Sequence, residues 1–167
     1  MTDVPVEDIV GTLAEMRQSS LIRHIGLSSI SADQLRTATA ITDIAAVTVQ
    51  YNVTMRQHAD VQRLTREAGI VLSPWHPGGL PQDGEGDLFH AVITPVAAAH
   101  HATPRQVALA WRLHRGPQVL PTPGTTRTRR LEENLAAARI RLSTAQVDAI
   151  ARMSVGDARL PPVLSMS

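Results

Sequence analysis

Three short apolar runs, Leu21–Leu27, Ala45–Tyr51 and Ile70–Trp75, begin about 24 residues apart, and the residues between them follow helical rather than alternating patterning. Each interval holds one strand, one helix and two short connections. Parallel strands need a crossover between them, and a helix of this length supplies it. The pitch therefore points to an α/β fold built from successive strand–helix units. A fourth apolar run, Val119 to Thr122, adds one more candidate strand, which makes about four parallel strands with surrounding helices.

The helix boundaries can be placed by local chemistry. Residues 5–17 open with Pro5, carry Glu7 and Asp8 early, and repeat Val6, Ile9, Val10, Leu13 and Met16 on one face. Ser31 to Gln34, Thr103 to Gln106 and Ser143 to Gln146 each fit the capping box, in which a hydroxyl and an amide three residues apart satisfy each other's backbone N–H groups. Gly69 is expected to end the helix of residues 59–68. Residues 76–88 (HPGGLPQDGEGDL) form the one long irregular stretch, and residues 156–167 a short tail. The whole of 1–167 reads as one unit, with no linker to divide it.

Composition removes several chemistries. All sixteen basic residues are arginine, and the chain has neither lysine nor cysteine, which excludes Schiff-base, lysine general-base and thiolate catalysis and any thiolate metal site. His100 and His101 are adjacent, point to different sides of a helix and lack a carboxylate at ligand spacing, so no metal is expected. A net charge of +1 gives no general attraction to nucleic acid or to a membrane surface. An acidic N-terminus and the lack of a long apolar run lead to the expectation of a cytoplasmic protein.

Arg127, Arg129 and Arg130 cluster where a helix is expected to start, directly after Pro123-Gly124. Guanidinium groups at a helix N-terminus suit phosphate oxygens, although the same cluster could be a solvated helix face. Nucleic-acid binding through these arginines is the weaker alternative, because no aromatic residues are interleaved with them.

Five segments, IRHIGLSS (22–29), VTVQYN (47–52), GIVLSPWHP (69–77), ATPRQVALAWRL (102–113) and PGTTRTRRLEENLAAA (123–138), resemble in order and spacing the carboxyl-terminal half of an aldo-keto reductase. The resemblance implies a partial TIM-type (β/α) barrel equivalent to strands 5–8, and NADPH as cofactor. It implies that Thr125, in the loop with Pro123 and Gly124, and Arg130 hold the adenosine 2′-phosphate, with Glu133 and Asn134 near the adenine. Arg127 and Arg129 are assigned to the surrounding field or to solvent. Ser28, with Ser29 beside it, and Gln50 match positions that bond the nicotinamide carboxamide, and Trp75 matches the aromatic on which the nicotinamide stacks. Two positions depart from the family pattern: Ser29 stands where Asn is common, and Gly124 where many members have Lys. Trp111 reads as packing.

The family's proton-transfer set of Tyr, Lys, Asp and His comes from the first half of the barrel, for which nothing here corresponds. The only tyrosine, Tyr51, sits beside Gln50. The expectation is a truncated reductase-like fragment, an NADPH-dependent oxidoreductase by resemblance and inactive alone, with no catalytic residue of its own. The alternative is a non-catalytic half-barrel interaction module or an inert gene fragment. Two unpaired sheet edges and a bare apolar face would seek a homodimer partner or a missing amino-terminal half-barrel.

Overall fold

A computed structural model describes residues 4–75 and 86–153. In chain order the elements are α1 (Val6–Gln18), β1 (Gly26–Ser28), α2 (Ala32–Ile41), β2 (Ala46–Thr48), α3 (Ala59–Glu67), β3 (Val71–Leu72), α4 (Gly86–Ala99), α5 (Pro104–Leu113), α6 (Thr128–Ala136), a short 3-10 turn (Ala137–Arg139) and α7 (Thr144–Ala151). Of the irregular stretch expected over 76–88, residues 76–85 lie outside the described residues, as does the 156–167 tail, and Gly86 already opens α4.

The local signals act as the chemistry dictates. In all three capping boxes the hydroxyl of Ser31, Thr103 or Ser143 accepts from the backbone of Gln34, Gln106 or Gln146, and each glutamine accepts in return at 2.9 Å. Gly69, at φ +67°, ends α3, where Ile70 N–H reaches Thr65 O at 2.9 Å and Gly69 N–H reaches Arg66 O. This is the Schellman arrangement, which needs a left-handed residue there. In α1 the buried line runs through Val10 and Ala14, and Ile9, expected on that face, is exposed.

The strands pair in parallel in the order β1-β2-β3, with Leu27 opposite Val47 and Val47 opposite Leu72. The fourth apolar run does not form a strand. It enters as a single bridge, Leu72 to Val119, flanked by Leu72 N–H to Gln118 O at 3.0 Å and Leu120 N–H to Leu72 O at 2.8 Å. With β3 only two residues long, there is little ladder left for a fourth partner to extend. The described sheet thus has three strands rather than four.

Side-chain alternation separates the two faces. Leu27, Val47, Val49 and Leu72 turn toward the helices and join a core with Leu35, Val61, Ile93, Val107 and Trp111. On the other side lie Gly26, Ser28, Ala46, Thr48 and Val71, all exposed or half-buried. This corrects the expectation of a bare apolar face. Small and hydroxyl side chains dominate the open side, so the drive to cover it by hydrophobic burial alone is weak.

α5 is buried without interruption from Val107 to Arg112. Trp111, fully buried, stacks on Tyr51 with ring centroids 6.2 Å apart and donates from Nε1 to Val147 O of α7 at 3.3 Å. The Arg115 guanidinium lies 4.0 Å and that of Arg56 4.9 Å from its ring centroid. Arg56 also donates to Ile150 O and Ala151 O, covering the carbonyl end of α7.

Arg112 is the anomaly in this layer. It is 0% exposed, and its Nε and both terminal nitrogens have no hydrogen-bond partner. Burial lowers its pKa to about 9, with Tyr51 opposing, which still leaves it cationic at neutral pH. A buried cation with idle donors costs stability that a similar apolar volume would not. Arg112→Met is therefore expected to stabilise the chain by about 1–3 kcal/mol. Chemical denaturation checks this, and a variant less stable than the parent would contradict it.

Candidate functional site

Ser28, Gln50 and Trp75 come together at the carboxyl ends of the three strands. Ser28 pairs with Thr48, two residues before Gln50, and Gln50 bridges Trp75, whose N–H donates to Val49 O at 3.1 Å. Ser28 Oγ and Ser29 Oγ are 3.4 Å apart, both exposed. Ser29 takes φ +55° while its N–H holds Thr48 O at 2.8 Å, so β1 ends in a left-handed residue. Asn and Asp tolerate that conformation better than Ser.

Gln50 is buried, and the turn after it decides what it touches. Asn52 Oδ1 accepts from Thr54 N–H and Met55 N–H at 2.9 and 2.8 Å, folding the chain back so that Met55 Sδ receives Gln50 Nε2 at 2.7 Å. Trp75, by contrast, is 42% exposed, while Trp111 has no exposed surface. Of the two indoles only Trp75 offers a face to a ligand. Tyr51 belongs to the helix-facing side, stacked on Trp111, and is not part of this edge.

The second group surrounds a cavity of about 580 Å³ between α4, α5 and the start of α6. Arg105, Arg127, Arg129, Arg130 and Glu133 line it, with Phe89, His90, Thr103 and Pro104. Of the residues expected here, Arg130 and Glu133 are on the wall, whereas Pro123, Gly124, Thr125 and Asn134 are not among the lining residues. Thr125 instead shapes the loop: its hydroxyl accepts Arg127 N–H at 3.1 Å, just before α6 begins. Arg127 and Arg129, assigned by sequence to field or solvent, face the cavity together with Arg130.

Four guanidiniums confront one carboxylate there, and that carboxylate is already engaged, with Arg129 Nε donating to Glu133 Oε1 at 3.0 Å. Gln106 Nε2 donates to Glu133 O at 3.0 Å, so the residue that completes the cap of α5 also holds α6 in place. Arg105 and His90 went unnoticed in the sequence. The signal for Arg105 was present, since the capping box puts it in the first turn of α5, but nothing local said which other helix that turn would meet. His90 follows the irregular stretch and carried no signal.

Donors left over test whether an anionic nucleotide suits this place. Arg105, Arg127 and Arg130 on its wall have no side-chain hydrogen bond or ion pair among the described residues, and the cavity is cationic, so the residues fit a phosphorylated ligand such as NADPH. Among the described residues no cluster of three His, Cys, Asp or Glu could hold a metal ion, and His100 Nε2 pairs with Gln146 Oε1 at 3.0 Å. No helix among them is long and apolar enough to cross a membrane.

The sequence profile of the aldo/keto reductase family matches residues 1–154. Pyridoxine 4-dehydrogenase of Escherichia coli K12 is 38% identical over 138 residues, which are 83% of this chain and 47% of that protein. Among solved structures, the thermostable aldo-keto reductase Tm1743 superposes with a TM-score of 0.78 at 28% identity, over 90% of this chain and 55% of its own. An aldo-keto reductase from Klebsiella pneumoniae, crystallised with NADPH, gives a TM-score of 0.73 at 25% identity, over 94% of this chain and 57% of its own. The chain spans about half the length of the relatives it matches.

Proposed function

This chain belongs to the aldo/keto reductase family, and from that premise we propose that it is the NADPH-binding half of a reductase barrel, its three strands and the Val119 bridge together equivalent to strands 5–8. The observation that carries the reading is the arginine-lined cavity at the start of α6, in which Arg127 and Arg130 make no side-chain hydrogen bond or ion pair among the described residues. Arg130 holds the 2′-phosphate with its planar fork, Thr125 orders the loop that presents α6, and Glu133 and Asn134 border the adenine. At the strand ends Trp75 offers its exposed indole face to the nicotinamide, with Ser28, Ser29 and Gln50 as polar neighbours for the carboxamide. The bound cofactor supplies the hydride.

Proton delivery to a carbonyl oxygen is assigned elsewhere. These residues include no lysine, and Tyr51 is buried against Trp111, away from the open face of the sheet. Removing a general acid costs about 10²–10⁴-fold in rate. The Asp, Tyr, Lys and His of the family are proposed to come from a complementary half-barrel, and aldehyde or ketone reduction to need both halves. A non-catalytic, partner-recruiting role is favoured by one separate observation: Leu120, Leu131 and Leu135 are exposed along the 119–120 run and α6. A second copy could cover them, but it would add neither lysine nor another kind of acid.

Tryptophan fluorescence tests the cofactor reading. NADPH is expected to quench Trp75 with an affinity at least about 10-fold higher than NADH, since an extra phosphate meets charge-assisted donors worth about 1.5–3 kcal/mol each. The signal should vanish in Trp75→Leu and persist in Trp111→Phe. Equal, negligible binding of both nucleotides would remove the site.

A further inference from the structure

The cations around the cavity are not equivalent. Arg129 is committed to Glu133, whereas Arg105, Arg127 and Arg130 have no side-chain hydrogen bond or ion pair among the described residues. Arg105 is half-buried, with its Nε shielded and its terminal nitrogens left as the donors open to an acceptor in the cavity.

Its placement is set by the fold. Arg105 follows Pro104 in the first turn of α5, whose start is held by Thr103 and Gln106, and Gln106 is bonded in turn to Glu133 O of α6. The cavity therefore has a cationic wall on each of two helices that are fastened to one another. Gly124, in the loop before α6, provides no side chain to assist.

We infer that Arg105 is a specificity-determining residue, the α5 jaw of a clamp that closes on the extra ribose phosphate from the side opposite Arg127 and Arg130. The inference rests on the NADPH reading above and deepens it. A dianion there engages donors on both helices. A ribose hydroxyl in its place leaves the Arg105 fork idle, so the residue sets the preference between the two nucleotides rather than general affinity.

The test uses the whole chain and measures calorimetric affinities for adenosine 2′,5′-bisphosphate and for adenosine 5′-monophosphate, in the parent, Arg105→Ala and Arg105→Lys. Arg105→Ala should weaken the bisphosphate about 10- to 100-fold and leave the monophosphate within about two-fold. Lysine should recover part of the loss, since it keeps the charge without the fork. Arg105→Gln provides a second neutral variant, and circular dichroism verifies that each variant is folded. An unchanged preference in folded Arg105→Ala and Arg105→Gln overturns the inference. So does an equal loss for both ligands, which would make Arg105 a platform for the base. If the parent does not distinguish the ligands, the NADPH reading falls instead.

Discussion

Trp111→Ala is expected to unfold much of the chain at room temperature. The indole is fully buried and joins four elements of the packing: the Tyr51 ring, the Arg56 and Arg115 guanidiniums, and Val147 O of α7. Truncating a buried Trp costs about 3–5 kcal/mol. The loss of two cation–π contacts adds about 0.5–2 kcal/mol each, and partly buried cations would be left facing a void. Against a typical total of about 5–15 kcal/mol that is a large share. Urea titration followed by circular dichroism should show a loss of at least about 4 kcal/mol. Trp111→Phe, which keeps a ring and loses only the Nε1 donor and some volume, should lose about half as much or less. A Trp111→Ala loss below about 1 kcal/mol would mean that this layer does not hold the sheet to its helices.

The second large effect concerns Arg130. Replacing it with alanine is expected to weaken NADPH about 100-fold, to change NADH little, and to erase most of the discrimination between them. Arg127→Ala, from the position that caps α6, should have the same sign and a smaller size, about 10-fold at most. Arg129→Ala should matter least, because Arg129 is highly exposed and already paired with Glu133. Titration at two salt concentrations separates contact from field: losing a phosphate contact flattens the salt dependence, whereas a distant charge hardly changes it. If Arg129→Ala proved as damaging as Arg130→Ala, the assignment of the phosphate to one fork would be wrong.

The residues pointed to the segments that meet at the candidate site, but not to all of the side chains that line it. Trp75 and Trp111 are the same residue type: the helix face shared with Val107, Ala110 and His114 marks Trp111 as packing, whereas only agreement with the other positions of a known pattern marks out Trp75. The structure separates them physically, one indole exposed at a strand end and the other stacked in the core. The resemblance singles out Arg130 as the phosphate ligand, yet Arg127 and Arg129 share its cavity and Arg105 approaches from another helix. Spacing along a chain shows which side chains share one helix, not which helices meet. The fourth strand shrank to one bridge for a similar reason, since ladder length depends on how many residues the neighbour offers.

What the sequence determined by itself is the set of features whose causes lie within a few residues. The three capping boxes and the glycine stop at Gly69 follow from contacts between near neighbours, and each is found where the residues place it. Tertiary structure decided the rest: that the open face of the sheet is small and hydroxyl-rich, that Arg112 is sealed in with idle donors, and that guanidiniums from α5 and α6 share one cavity. The physical reason is that burial and charge proximity depend on distances between segments 20 or more residues apart, which only the packing of the helices on the sheet sets.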